Sequence, residues 1–364
     1  MNNSLKKYFM KQAFLEAYRA KGTTGKNPNV GCVLVKNNFI IARARTSPGG
    51  RPHAEENLIS QTSKAELKGS SLFVTLEPCA HKGSNGTSCA DLISDSGIKE
   101  IFISNLDPDL RTSGKGLKIL EKSNIKVYPD FLIDEGIDLN IGYLTNCSLN
   151  RPFVTIKFAI SLDGKIALKN KDSKWISSEL SRNFGHMLRA QSDAILTTNS
   201  TIKKDNSKLN CRLNGLEKYS PLKIIIDRNL KLNNDYLIFK KAKKENLLIY
   251  HCSNNQTKIK KYPKNTNLIY INNKNFFLKS ILKDLAARKI KNLLIESGTT
   301  FCSEMIKANL VDQIAFFRSN KIIGNDGLPF VNNLNLKKIS DCMNMKVIDY
   351  KFFDNDFYEL RRFS

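Results

Sequence analysis

The sequence predicts an α/β protein built as two domains. Three observations predict it. The chain has 364 residues, more than one domain of ordinary size accounts for. Short β-branched and aromatic runs alternate with stretches of helical character, as in strands joined by helices around a largely parallel sheet with helices on both faces. The alternation restarts after a polar seam, Asn146-Cys147-Ser148-Leu149-Asn150-Arg151-Pro152. The predicted domains are residues 1–147 and 148–364.

The elements follow in chain order. The opening stretch reads as an amphipathic helix, with Phe9, Ala13 and Ala17 on one stripe and Tyr8, Gln12 and Glu16 near another. Residues 30–35 and 39–42 are two strands joined by the polar turn Lys36-Asn37-Asn38. A helix is expected over 53–59 and a buried strand over 71–76, which is rich in β-branched and aromatic residues. A short helix over 90–96 closes at Gly97, and a strand at 100–104, a helix at 116–122 and a strand at 125–128 follow. Beyond the seam, strands are expected at 153–158, 193–197, 222–226, 247–250, 267–271, 292–295 and 313–317. Helices are expected at 178–191 and 276–287. Residues 230–275 are thick with Lys and Asn and are expected to include mobile surface loops.

Composition excludes several classes. Hydrophobic residues at 41% supply real cores, which excludes a wholly disordered chain. No apolar run approaches the roughly 20 residues of a membrane helix. The first residues lack the apolar core and cleavage site of a secretory signal, so no membrane partner is expected. Eight dispersed cysteines in such a chain imply reduced thiols and a cytoplasmic location. The net charge of +24 raises a nucleic-acid reading. The lysines are scattered, however, commonly beside Asn or in runs such as Lys258-Ile259-Lys260-Lys261, and a solvated surface accounts for them.

The sharpest signal is His53-Ala54-Glu55, followed by Pro78-Cys79 and then Cys89. One His and two Cys leave the fourth tetrahedral position of zinc open to water, as a catalytic site needs, and zinc brings the pKa of that water towards neutrality. Glu55 is the candidate catalytic residue, a proton shuttle that is not itself a ligand. This order of residues is the signature of zinc deaminases. His and Glu two apart point away from each other on a regular helix. They share a site only at a helix N-terminus, which also favours the Cys79 thiolate. Nine residues, Ala80 to Ser88, separate the cysteines instead of the usual two.

That longer form occurs with Asn27-Pro28-Asn29-Val30-Gly31, Pro52-His53-Ala54-Glu55, Thr75-Leu76-Glu77-Pro78-Cys79-Ala80-His81-Lys82-Gly83, Asp107-Pro108 and Gly114-Lys115-Gly116. The second half adds Lys157, Ser161-Leu162-Asp163-Gly164-Lys165, Ser173-Lys174-Trp175-Ile176, the run from Leu188 to Leu196, and Ile295-Glu296-Ser297-Gly298-Thr299-Thr300. Together these motifs resemble the bifunctional deaminase–reductase family of riboflavin biosynthesis over nearly the whole chain.

The resemblance implies a cytidine-deaminase-like three-layer domain followed by a dihydrofolate-reductase-like domain. It implies zinc-dependent deamination of 2,5-diamino-6-(5-phosphoribosylamino)pyrimidin-4-one, then NADPH-dependent reduction of its ribosyl chain to ribityl. One zinc would be held by His53, Cys79 and Cys89. Asn27 would meet the pyrimidine edge, where an amide both donates and accepts. Substrate positions fall on Ser173, Arg189, Leu209, Arg212 and Glu296, and the Arg fork suits phosphate. Cofactor positions fall on Ile160, Trp175, Thr201, Asp205 and the run Gly298, Thr299, Thr300, Phe301, Cys302, Ser303 and Glu304. A glycine opening a helix there offers backbone N–H groups to phosphate. Asp163 reads as a turn residue.

Two departures from the family pattern stand out: nine residues between the cysteines where eight are usual, and Asp205-Asn206-Ser207 where Asp-Asp-Pro is common. The expected partners are a phosphorylated pyrimidine and further copies of the chain, and no nucleic acid. The alternative is a nucleic-acid or nucleoside deaminase whose second domain is a non-catalytic scaffold.

Overall fold

The computed structural model describes every residue except 82–85, 171, 241–245 and 273–276. The chain divides into two compact units, Met1–Asn150 and Arg151–Ser364. The division falls slightly beyond the boundary read from the sequence, because the helix Ile141–Leu149 continues through the first part of the seam.

The first unit holds β1 (Gly31–Lys36), β2 (Phe39–Arg45), β3 (Ser71–Val74), β4 (Glu100–Ile103) and β5 (Lys126–Tyr128). Their order in the sheet is β2-β1-β3-β4-β5. The expected largely parallel sheet is corrected here to a mixed one. Strand β1 runs antiparallel to both β2 and β3, and only β3, β4 and β5 are mutually parallel. The cause is local. Asn37 and Asn38 both take positive φ, 53° and 65°, and such a two-residue turn joins antiparallel strands. Helices Cys89–Ser94 and Lys115–Lys122 instead provide the long crossovers that parallel strands require.

Alternate strand residues face opposite sides of this sheet. Cys32, Leu34, Leu72, Val74, Ile101 and Ile103 pack with Leu58, Ile93 and Leu120 of the helices on one face. Val33, Val35, Phe73 and Phe102 pack with Phe9, Met10 and Ala13 of helix Asn3–Arg19 on the other. Phe73 stacks on Phe102 with centroids 4.6 Å apart. Each such buried side chain contributes about 1.5–3 kcal/mol, and both faces need a helix layer to realise it. Gly31 lets the first helix approach closely, since a Cβ there would lie 2.1 Å from the Ala13 carbonyl oxygen.

The second unit holds β6 (Phe153–Ile160), β7 (Lys165–Leu168), β8 (Ala194–Thr198), β9 (Leu222–Ile226), β10 (Leu247–His251), β11 (Asn267–Tyr270), β12 (Asn292–Ile295), β13 (Gln313–Arg318), β14 (Gly327–Pro329), β15 (Met345–Phe353) and β16 (Asp356–Phe363). Nine of them form one sheet, ordered β11-β10-β9-β8-β12-β6-β13-β16-β15, while β7 pairs with β14. From β11 to β13 all pairs are parallel, and the hairpin β15–β16 adds on antiparallel.

The central strands are buried on both faces and carry near-continuous apolar runs such as Leu-Lys-Ile-Ile-Ile in β9. The Lys- and Asn-rich stretch 230–275 holds β10, β11 and the helices Leu237–Lys240 and Gln256–Lys261 as well as loops, and part of it lies outside the described residues. Parallel register brings the C-terminal ends of β8, β9 and β12 to one edge, with Thr198 opposite Ile226 and Leu196 opposite Ile295. That edge is where an open α/β sheet binds ligands.

Candidate active sites

In the first unit, His53 is the N-cap of helix Ala54–Ser60, and Cys89 is the first residue of helix Cys89–Ser94. The Glu56 carboxylate accepts the His53 backbone N–H at 2.6 Å and the Arg51 guanidinium at 3.0 Å. Ser88 caps the second helix by accepting the Asp91 N–H at 3.1 Å. Cys79 lies outside any helix, but its Sγ accepts the Cys89 backbone N–H at 3.4 Å. It therefore meets the helix N-terminus from outside.

The candidate ligand atoms of His53, Cys79 and Cys89 all lie within 4.8 Å of one another. Cys79 Sγ and Cys89 Sγ are 3.7 and 3.4 Å from His53 Nδ1. A tetrahedral zinc, bonded at about 2.3 Å to sulfur and about 2.0 Å to nitrogen, sets such pairs about 3.5 Å apart. The donor set fits the metal. His81 turns elsewhere, with its Nδ1 3.3 Å from Thr112 Oγ1.

Glu55 is buried beside this cluster, and burial pushes its carboxyl up to about 7, with His53 opposing and Cys79 adding to the effect. The Cys79 thiol is held down at about 4, chiefly by hydrogen bonding from Cys89, while burial opposes. Asn27 donates its Nδ2 to the Gly50 carbonyl at 2.6 Å. Gly50 has φ +93°, and a Cβ there would sit 2.5 Å from that nitrogen, so the anchor requires glycine.

The sequence reading gave Glu77 no role. It is buried, and its carboxylate accepts the backbone N–H groups of Asp107, Gly114 and Gly116 at 3.2, 3.1 and 3.0 Å. It thus ties the Pro-Cys segment to the two motifs beyond it. An acidic residue directly before Pro78-Cys79 was the available signal. Residues 82–85 of the longer cysteine loop lie outside the described residues.

In the second unit, Ser173, Arg189, Thr201, Asp205, Leu209, Glu296, Gly298, Thr299 and Thr300 all line one cavity of about 530 Å³. Arg189 grips Glu296 with two bonds, Nε to Oε1 at 2.7 Å and Nη2 to Oε2 at 2.9 Å. Lys157 Nζ stands 3.8 Å from the same carboxylate. Burial favours the neutral acid, but Arg189 and Lys157 overcome it and hold Glu296 at about 2. Lys157, Ser200 and Lys204 also line the cavity. They were not assigned from sequence, because only the tertiary fold brings them to this edge.

Other expected residues do not line this cavity. Ile160 is fully buried at the end of β6. Trp175 is 61% exposed, and its ring stacks 4.4 Å from the Arg182 guanidinium. Arg212 is exposed. The run from Gly298 to Glu304 divides, because successive residues of a helix face different directions. Thr300, Phe301 and Glu304 line a second cavity of about 310 Å³. Cys302 and Ser303 turn inward, donating to the Ser297 and Thr299 carbonyls at 3.4 and 2.7 Å. Asp163 is the expected turn residue, accepting Ser161 Oγ at 2.6 Å and the Ile323 and Gly324 N–H groups at 3.1 and 2.6 Å.

A three-ligand zinc site with a buried carboxylate, and an α/β unit with a glycine-opened helix beside a polar cavity, define a zinc deaminase joined to a second catalytic unit. Residues 3–105 match the cytidine and deoxycytidylate deaminase zinc-binding region, and residues 152–357 match the RibD C-terminal domain. The riboflavin biosynthesis protein RibD of Aquifex aeolicus is 34% identical over 346 residues, covering 95% of each chain. That of Buchnera aphidicola subsp. Baizongia pistaciae is 33% identical over 354 residues, covering 93% of each. The structure of diaminohydroxyphosphoribosylaminopyrimidine deaminase/5-amino-6-(5-phosphoribosylamino)uracil reductase from Thermotoga maritima is similar, with a TM-score of 0.88, 33% identity and 99% of each chain covered.

The chain belongs to the RibD family of riboflavin biosynthesis proteins. It is a bifunctional deaminase and reductase with zinc and NADPH as cofactors, and its second unit has a dihydrofolate-reductase-like fold. The alternative of a scaffolding second domain is not favoured, since both halves match.

Proposed function

We propose that residues 1–147 deaminate 2,5-diamino-6-(5-phosphoribosylamino)pyrimidin-4-one and that residues 148–364 then reduce the ribosyl chain of the product with NADPH. The observation that carries the reading is the convergence of His53, Cys79 and Cys89 beside the buried Glu55. Those three residues would hold zinc, which when bound supplies an activated water. Glu55 then does the proton work. A carboxyl at about 7 both takes and gives a proton near neutral pH, first towards the ring nitrogen and then towards the departing ammonia. Asn27, anchored on Gly50, orients the pyrimidine edge.

In the reductase unit NADPH supplies a hydride. Thr201, Asp205 and Gly298 to Thr300 form its wall of the cavity, and a Cβ built on Gly298 meets nothing within 4 Å, so a pyrophosphate has room to approach. Ile160, Trp175 and Phe301 to Glu304 complete the cofactor positions. Ser173, Leu209 and Glu296 face the substrate. Glu296, fixed by Arg189, accepts from substrate hydroxyls, and the exposed Arg212 reaches its phosphate.

The protein works in the cytoplasm as a homo-oligomer. Eight cysteines dispersed along the sequence support the first point. The edge strand β15, with Val347, Tyr350 and Phe352 exposed, supports the second.

The test supplies the full chain with zinc, NADPH and the phosphorylated diaminopyrimidine, and follows ammonia and NADPH separately. Glu55→Gln should lower ammonia release by about a hundredfold or more, while NADPH oxidation on the deaminated pyrimidine is unchanged. Ammonia release at the wild-type rate in this variant refutes the proton shuttle.

A further inference from the structure

A second asparagine serves the loop that carries Asn27, and it comes from the last helices of the first unit. Asn140 joins the helices Ile133–Leu139 and Ile141–Leu149. An asparagine at such a junction ordinarily caps the following helix with its own side chain. This one makes no such cap. Its amide instead reaches 111 residues back along the chain, to Asn29. Oδ1 accepts the Asn29 backbone N–H at 3.0 Å, and Nδ2 donates to the Asn29 carbonyl at 3.1 Å. Both residues are buried.

We propose that Asn140 is a positioning residue of the deaminase, fixing the loop 23–30 so that Asn27 meets the pyrimidine edge at a set place. The proposal rests on the reading of Asn27 as a substrate contact.

Asn29 lies just before β1, which begins at Gly31, so the strand ladder does not reach it. Burial denies its backbone groups water, and unpaired they would be costly. The Asn140 amide carries the same donor and acceptor as a peptide group and satisfies both. The constraint then passes to Asn27. Thr24 Oγ1 is shared between Asn29 Oδ1 at 3.1 Å and the Asn27 carbonyl at 2.8 Å. The Asn27 N–H donates in turn to the Thr24 carbonyl at 3.2 Å. Asn29 thus receives the Asn140 clamp and is bonded to the residue that holds Asn27.

Asn140 is itself firmly directed. Its backbone N–H donates to the Gly136 carbonyl at 3.2 Å, and its carbonyl accepts the Leu144 N–H at 3.0 Å, so both helices fix its orientation. The first of them is seated just beyond β4, where Ser104 Oγ donates to the Leu132 carbonyl and Asn105 Nδ2 to the Ile133 carbonyl, both at 3.1 Å. A Cβ on Gly136 would lie 1.6 Å from Asn105 Oδ1, so this seating needs glycine. One turn beyond Asn140, the Tyr143 hydroxyl donates to Asp107 Oδ1 at 2.8 Å. That bond serves a different loop and provides a control on the same helix.

The test is steady-state ammonia release by the full chain, with zinc per chain and NADPH oxidation on the deaminated pyrimidine as controls for folding. Asn27→Ala should raise the KM for the diaminopyrimidine about tenfold, the worth of one or two hydrogen bonds. Asn140→Leu removes both bonds to Asn29, and Asn140→Gln moves the amide one methylene outward. Each should raise KM by about threefold or more with kcat little changed, since the contact is made in ground and transition states alike. Asn27→Ala/Asn140→Leu should match Asn27→Ala alone, because Asn140 acts through Asn27, whereas the effects of Tyr143→Phe and Asn27→Ala should multiply. A wild-type KM in both Asn140 variants, or effects that multiply in Asn27→Ala/Asn140→Leu, overturns the proposal and leaves the reading of Asn27 standing. Coupling to Asn27 as strong from Tyr143→Phe places the effect in the helix as a whole and overturns it too. Loss of zinc from both Asn140 variants assigns Asn140 to the stability of the unit and likewise overturns it. An unchanged KM in Asn27→Ala overturns the reading of Asn27 and the proposal with it.

Discussion

Arg189→Met removes the guanidinium that holds Glu296 and leaves an apolar side chain of similar reach. Both partners are mostly buried, each side chain being 14% exposed. Removing one member of a buried pair costs about 3–5 kcal/mol, because the other charge is left uncompensated. A second route gives the same scale. Glu296 sits at about 2 in the folded chain against an ordinary value of 4.5, which is worth about 3 kcal/mol at neutral pH. Lys157 at 3.8 Å keeps part of that stabilisation, so the expected loss is about 3 kcal/mol, at the low end of the range.

The assay is urea unfolding followed by tryptophan fluorescence. Trp175 is the chain's only tryptophan and belongs to the second unit, so the signal reports that unit. The sign of the pH dependence follows from the depressed carboxyl. Its contribution is complete above pH 4.5 and is lost as the pH falls towards about 2. The gap between wild type and Arg189→Met should therefore close over that window. Adding Glu296→Gln should recover most of the loss at neutral pH, since it removes the stranded anion. A variant as stable as wild type at neutral pH, or a gap that does not shrink in acid, refutes the reasoning.

Two further changes test the deaminase unit. Cys89→Ser leaves two of the three zinc ligands, so zinc per chain, measured by atomic emission, should fall from about one to near zero, and ammonia release should fall with it. Gly50→Ala places a Cβ where φ is +93° and Asn27 Nδ2 lies 2.5 Å away. It should cost about 1–3 kcal/mol and raise the KM for the diaminopyrimidine while NADPH oxidation on the deaminated pyrimidine is unaffected.

Much of the candidate site was legible because its logic is local. His53 and Glu55 must sit at a helix N-terminus to share a centre, and His53 is the N-cap. A short motif announces that arrangement. The strands were legible where both faces are buried, as in β9, whose apolar run needs no partner to be recognised. What escaped depends on pairing. The antiparallel join of β1 to β3 is fixed by long-range register, not by composition. The hairpin β15–β16 was missed because its half-exposed strands interleave charges with aromatics, as in Asp349, Tyr350, Lys351 and Phe352. Lys157 escaped as a cavity residue for a related reason, since nothing near it in sequence predicts a neighbour as distant as Glu296. Within the seven-residue run opening at Gly298, the helix spreads the side chains over two cavities and the core, a division that the linear sequence does not show.

The net charge of +24 needs a physical role of its own. Five basic residues, Lys157, Arg189, Lys204, Arg228 and Lys231, line the cavities on either side of the Gly298 helix start. Others are spread over solvated positions such as Lys258, Lys260 and Lys261. Such an excess gives the surface a positive potential that draws in anions. The proposed substrate and NADPH are both anions. Exposed charges are screened beyond about 8 Å at physiological ionic strength, so capture from a distance should weaken as salt rises, while groups already in contact with bound ligand change little. The expected result is a fall in kcat/KM for both reactions with added salt, carried by KM, with kcat nearly constant. A kcat/KM indifferent to salt would mean that the excess charge has no part in substrate capture. A kcat that falls in step with it would place the salt effect in the active sites themselves, on contacts such as Arg189–Glu296, and not in the long-range field.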